Sequence, residues 1–281
     1  MKKLKPLKSK NFITISLIIL LCIILILILY KSDLFSKISQ KRNFEKQVLE
    51  FAKQNEKTIF SINQITLFSS CDAQNKISNK SNFTIENLYA YTDIAIFINK
   101  NAEENNLENT LKNVIIKNIS IDTPPQQGQA NLYYKNLNQF AKSILPSKTE
   151  NSEANLQPIE NELEFTTISN ETSDYSKPVL YNNCANPITL SYITQNIKSD
   201  YTILDTSTPI TYNGSLLKRC AVPIEKIYSQ ISLEINITNY KDEKFKSKVF
   251  ITIPYKNENQ TIYDGNITIK QNPNFVFYKY N

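Results

Sequence analysis

Three hydrophobic patterns follow one another along the chain. The first is unbroken: residues 12–30, FITISLIILLCIILILILY, contain no charge, Pro or Gly and hold 15 Leu, Ile or Phe. As a helix at 1.5 Å per residue this stretch is roughly 28 Å long, close to the hydrocarbon thickness of a bilayer. Each of those 15 side chains favours insertion by about 0.3–0.6 kcal/mol, so the pattern predicts a transmembrane helix over 12–30. The second pattern has helical spacing: Phe44, Val48 and Phe51 share a stripe, with Leu49 and Ala52 beside it. With Ser32 or Asp33 able to cap its start, it predicts a juxtamembrane stalk helix within 31–57.

Beyond residue 58 the period becomes two. Ile94, Ile96 and Ile98 alternate, and so do Ile231, Leu233, Ile235 and Ile237, the latter interleaved with Ser232, Glu234, Asn236 and Thr238. Each set predicts a strand with one buried and one wet face. Further strands are expected at 59–68, 86–92, 113–122, 130–135, 162–168, 178–182, 187–193, 200–204, 208–212, 247–255, 260–263, 266–270 and 275–280. Many short strands with no helices between them predict a mainly β fold, an antiparallel β-sandwich of immunoglobulin-like or similar kind. The three glycines each follow a turn-forming polar residue, in Gln127-Gly128, Asn213-Gly214 and Asp264-Gly265. The last pair, between TIY and NITIK, predicts a two-residue hairpin. Residues 147–161, SKTENSEANLQPIEN, are polar and featureless and read as a linker. The expected plan is therefore a basic tail over 1–11, the span 12–30, the stalk 31–57, a β-rich domain over 58–146, the linker 147–161 and a β-sandwich over 162–281.

The apolar stretch reads as an uncleaved signal-anchor rather than a removable signal. Its core exceeds the usual 7–15 residues, and no small-x-small triplet follows it. Orientation is not settled by counting charges, because five Lys precede the span and five Lys or Arg lie within residues 31–50. The amino-terminal five are twice as dense, and carrying them outward would oppose the membrane potential. The tail is thus expected in the cytoplasm and the rest outside the cell membrane.

Charge then changes the picture of the exterior. The chain has a net charge of +6, but six of its 32 basic residues lie in residues 1–31, which contain no acid; residues 32–281 carry 26 of each sign. A balanced exterior offers no phosphate-tracking surface, and nucleic acid is not an expected partner. The sequence contains no His, which excludes Ser-His and Cys-His pairs and imidazole metal sites within the chain. No cofactor or metal ligand set is read. Acid-base chemistry would fall to carboxylates, Lys or Tyr; a cell-wall glycosidase would draw a pair from Glu162, Glu164, Asp200 and Asp205. No spacing singles out such a pair, and Glu162 with Glu164 also fits the wet face of a strand. Beyond Cys22 in the span, Cys71, Cys184 and Cys220 allow one bridge with a leftover thiol, or none. Cys184 with Cys220 is the pair favoured for a disulfide.

YTDIAIFIN at 91–99, NLYYKNLNQFAKS at 131–143, CANPITL at 184–190 and DTSTPITYNGSLLKR at 205–219, together with the basic tail and single span, carry a resemblance. The chain resembles a group of uncharacterised membrane-anchored proteins of AT-rich Gram-positive bacteria of the clostridial kind. The likeness implies a cell-envelope setting and brings no activity or site residue. The order of basic leader, apolar helix, amphipathic helix and β-rich head also resembles type IV pilin-like proteins. That family's processing site needs Gly or Ala before the mature start and Glu at its fifth position; Asn11 and Ser16 stand there instead. The resulting expectation is a single-pass, non-catalytic envelope protein. It is held by the bilayer through 12–30, and its exterior binds or scaffolds a cell-wall polymer, another envelope protein or itself.

Overall fold

The computed structural model describes residues 17–24, 39–47, 59–78, 83–101, 106–137, 156–159, 161–169, 178–203, 215–253, 267–273 and 275–280. The chain divides into two units, Met1–Asn55 and Glu56–Asn281. The first contains two described helices, α1 (17–24) and α2 (39–47), every residue of which is exposed. On α2, Lys41 reaches Glu45 at 3.9 Å, the i,i+4 pairing that supports an isolated polar helix. Among the described residues no helix is long and apolar enough to cross a membrane. The expected span over 12–30 is thus represented by the eight residues of α1, and the rest of it lies outside the described residues. Of the stalk at 31–57, only α2 is described.

In the second unit the period-two patterns become two sheets. Sheet A has the order β11 (Ile267–Gln271), β1 (Phe60–Ser78), β2 (Phe83–Lys100), β8 (Ile188–Ile203), β4 (Gln129–Lys135), β5 (Leu156–Pro158), and β12 (Phe275–Val276) also pairs with β1. Sheet B has the order β13 (Tyr278–Tyr280), β10 (Lys244–Ile253), β9 (Ser229–Asn239), β3 (Leu111–Thr123), β6 (Leu163–Ile168), β7 (Val179–Tyr181). Pairing is antiparallel throughout, except that β7 runs parallel to β6. One apolar cluster unites the sheets face to face: Ile94, Ile96 and Ile98 of β2 share it with Ile231, Leu233, Ile235 and Ile237 of β9. These are the alternating residues of the sequence pattern. Each is nearly or fully buried, which contributes about 1.5–3 kcal/mol per side chain.

The expected separation into domains at 58–146 and 162–281 gives way to one interleaved body. β1, β2 and β4 from the first range and β8 and β11 from the second lie in the same sheet, while β3 pairs with β9 in the other. The chain changes sheet at most of its loops, so neither half closes a core alone. The assigned linker is itself part of the fold: Leu156–Pro158 forms the edge strand beside β4. The rest of 147–161 that precedes it lies outside the described residues.

Short helices interrupt what was expected to be strand and turn only. α3 (Ser215–Arg219) and α4 (Ile224–Ile227) connect β8 to β9 and build a second apolar cluster against β1, β2 and β8 with Leu216, Leu217, Val222, Ile224 and Ile227. Among the described residues, left-handed backbone is found at Gly128, with φ of 91°, and at Asn118, Cys184, Asn196, Ala221 and Asp242. Asn118 sits where the β3–β9 register slips, consistent with a bulge held by a side chain that tolerates this conformation. Gly214 and the Asp264-Gly265 turn lie outside the described residues, as do strands expected at 208–212 and 260–263.

Candidate functional site

Two polar features stand inside the β body. The first lies between the sheets, where the main core meets the α3–α4 cluster. Ser69 and Ser70 of β1, Thr92 of β2, and Tyr192 and Thr194 of β8 line a cavity closed by Leu217, Ile227 and Ile253. Ser69 and Thr92 hydroxyls meet at 2.7 Å. The Tyr192 hydroxyl pairs with Ser229 Oγ. Burial raises the Tyr192 phenol above its ordinary pKa, opposed by hydrogen bonds from Ser229 and Thr194. The cavity has a volume of about 20 Å³. That volume suits an ordered water held by hydroxyls and is far too small for a sugar ring.

The second feature is on the opposite face of sheet A. Asp93 of β2 and Tyr133 of β4 both stand opposite Ser191 of the intervening strand β8, and Lys135 lies two residues beyond Tyr133 on the same face. Lys135 Nζ is 2.7 Å from Asp93 Oδ2, and Ser191 Oγ donates to Asp93 Oδ1 at 2.9 Å. The Lys135 and Asp93 side chains are only 1% and 0% exposed. Burial lowers the Lys135 pKa from its ordinary value, and the Asp93 carboxylate works against that shift. The Tyr91 ring lies 5.7 Å from Lys135 Nζ. Tyr89, Tyr91, Leu156 and Ile193, with Phe68 and Tyr133 against them, form a third cluster around the pair. The face that period-two reasoning left to solvent is therefore sealed along β2 and β8.

The sequence-derived candidates do not converge. Glu162 and Glu164 are exposed at the start of sheet B's β6, and Glu164 accepts a hydrogen bond from Asn113. Asp200 is exposed near the end of β8 in sheet A, and Asp205 lies outside the described residues. Among the described residues no group of His, Cys, Asp or Glu has the arrangement to hold a metal ion.

The favoured Cys184–Cys220 disulfide is not formed, and all four cysteines are free thiols. The two pack against different clusters: Cys184 lies beside the main core, while Cys220 lies beside the α3–α4 cluster that contains Cys71. Burial pushes the Cys184 thiol up to about 11. Burial also raises Cys71, to which Asp72 and Cys220 add like-charge repulsion. Several tyrosines are core residues, Tyr89, Tyr134 and Tyr192 among them.

Sequence reasoning passed over Asp93, Lys135 and Ser191. Their signal was a single charge inside the mostly apolar run LYAYTDIAIF, and a Lys directly after the Tyr133-Tyr134 pair. A charge within an apolar strand needs a partner, and that requirement alone points to a buried pair.

Fold and site together define a mainly β, two-sheet antiparallel body with a buried ion pair on one outer face. Comparison of this chain with protein-family models, with curated proteins and with solved structures finds no match.

Proposed function

We propose that this chain is a single-pass membrane-anchored protein whose β body stands outside the cell membrane as a non-catalytic binding or scaffolding component of the envelope. The observation that carries this reading is the apolar stretch at 12–30. Its described part, α1, is apolar on every side and exposed on every side, from Leu17 at 60% to Ile24 at 48%. A helix without a polar face needs a non-aqueous surrounding, and 19 such residues match a bilayer in length. The basic tail before it and the charge-balanced body after it fit an anchor with the tail inside. The resemblance to membrane-anchored proteins of clostridial-type bacteria points the same way.

The surface best suited to a partner is the wet face of sheet B. Lys244, Lys246 and Lys248 alternate along β10, with the Tyr280 ring 5.3 Å from Lys246 and the Phe250 ring 5.1 Å from Lys248. Phe250 is 44% exposed. Ammonium groups beside open aromatic rings favour an anionic or sugar-bearing polymer, or a protein with matching acids.

Protease shaving of intact cells, followed by peptide mapping, tests the placement. Peptides from 58–281 are expected from intact cells, with residues 1–11 protected. Recovery of the body only after lysis overturns the orientation and the envelope role. A mature amino terminus at Phe12 would replace the anchor with a pilin-like processed start.

A further inference from the structure

We propose that Lys135 and Asp93 condense to an amide between Nζ and Cγ, an intramolecular cross-link that ties β4 to β2 across β8. The strand order sets the reach. β2 and β4 flank β8, two strand spacings apart, roughly 9–10 Å, and a lysine stem is long enough to cross that gap. Asp93 stands opposite Ser191 on one side of β8 and Tyr133 stands opposite it on the other. From Lys135, two residues along, Nζ arrives 2.7 Å from Oδ2, so the nucleophile already touches the group it would attack.

Burial supplies the chemistry. An ammonium has no lone pair and a carboxylate is a poor electrophile, so a solvated pair such as Lys279 with Glu243, at 2.6 Å, stays an ion pair. With side chains 1% and 0% exposed, water no longer stabilises the ions, and moving one proton along the Nζ–H···Oδ2 bond gives a neutral amine beside a neutral acid. The amine then attacks Cγ. Negative charge develops on Oδ1, where the Ser191 hydroxyl already donates at 2.9 Å. Oδ2 leaves as water, carrying the transferred proton and a second one from Nζ. One C–N bond forms, one C–O bond breaks, one water is released and no redox partner is required. Fixing both groups at contact distance replaces a bimolecular encounter with a unimolecular step.

The test is the intact mass of the full purified chain, together with a protease digest under denaturing conditions. The expected result is a mass lower than the sequence mass by one water, and a branched peptide containing both Asp93 and Lys135. Lys135→Arg and Asp93→Ala are expected at full sequence mass. Ser191→Ala, which keeps both reacting groups, is expected to slow cross-linking about a hundredfold. Wild-type protein at full sequence mass, with separate Asp93 and Lys135 peptides, overturns the proposal. So does a water loss confined to the Asp93 peptide, which would mark a succinimide. Because the wild-type mass decides, the test stands even if the variants fold poorly.

Discussion

Gly128 offers a direct check on how the halves of the body are locked together. It lies in the bend before β4, at a φ of 91°, and an added Cβ would sit 2.6 Å from the Gln195 carbonyl oxygen and 2.7 Å from Thr194 Cγ2, both on β8. Real Cβ atoms essentially never come within 3.0 Å of such neighbours. Gly128→Ala therefore incurs two costs. Left-handed backbone in a residue with a Cβ costs about 1–2 kcal/mol. Pushing a backbone carbonyl of a central strand aside adds about 1–3 kcal/mol of overpacking strain. A total near 3 kcal/mol is a large share of the roughly 5–15 kcal/mol that stabilises a typical domain. At a urea m-value of about 2–3 kcal/mol/M, the unfolding midpoint should fall by about 1 M. Gly128→Asn separates the terms, because Asn tolerates the backbone but keeps the Cβ overlap; it should recover only part of the loss. Gln126→Ala, two residues away and exposed, should stay within about 0.5 kcal/mol. A midpoint for Gly128→Ala within about 0.2 M of wild type would refute the close approach of this bend to β8.

Ala221 occupies the left-handed position after α3, at a φ of 52°; the Val222 amide bonds Leu217 O and the Ala221 amide bonds Lys218 O, a pattern that favours glycine there. Ala221→Gly should therefore raise stability by about 1 kcal/mol in the same urea assay, and a loss would contradict the strain. Glu243 accepts hydrogen bonds from Lys279 and Asn239, which hold its carboxyl below the ordinary range, the Lys279 bond first. A depressed carboxylate contributes stability that is complete above its unfolded pKa and is lost as pH falls through the lower folded value. Urea midpoints measured from about pH 5 down to pH 3 should therefore fall more steeply in wild type than in Glu243→Gln, and parallel curves would rule out the contribution.

The sandwich was legible where one face of a strand is apolar and the other polar, as in Ile231–Ile237, because that alternation has a single packing solution. It was less legible along β2 and β8. In β8 both faces are covered from Ile188 to Thr194 and one face is exposed at Lys198, Asp200 and Thr202, so the periodicity changes within one strand and the two expected at 187–193 and 200–204 are the single strand Ile188–Ile203. Domain count was misread for a related reason. Period-two patterns locate strands but carry no information about which sheet each enters, and the chain switches sheets repeatedly. α3 and α4 are helices of five and four residues, too short to show a 3.6 period, and their apolar residues resemble a broken strand. The buried Lys135–Asp93 pair needed three strands in register, a relation that no local pattern encodes.

The end of the described chain has a kinetic consequence. β12 pairs with β1 in sheet A, β13 pairs with β10 in sheet B, and the fully buried Phe277 between them stacks edge-on with Phe60 at 6.2 Å. Completion of sheet A thus waits for contacts between its earliest and latest strands, the costliest loop the body has to form. A nascent chain lacking residues 267–280 presents β1 and β10 as open edges. Until those residues emerge, it is a template for strand exchange with its neighbours and for aggregation.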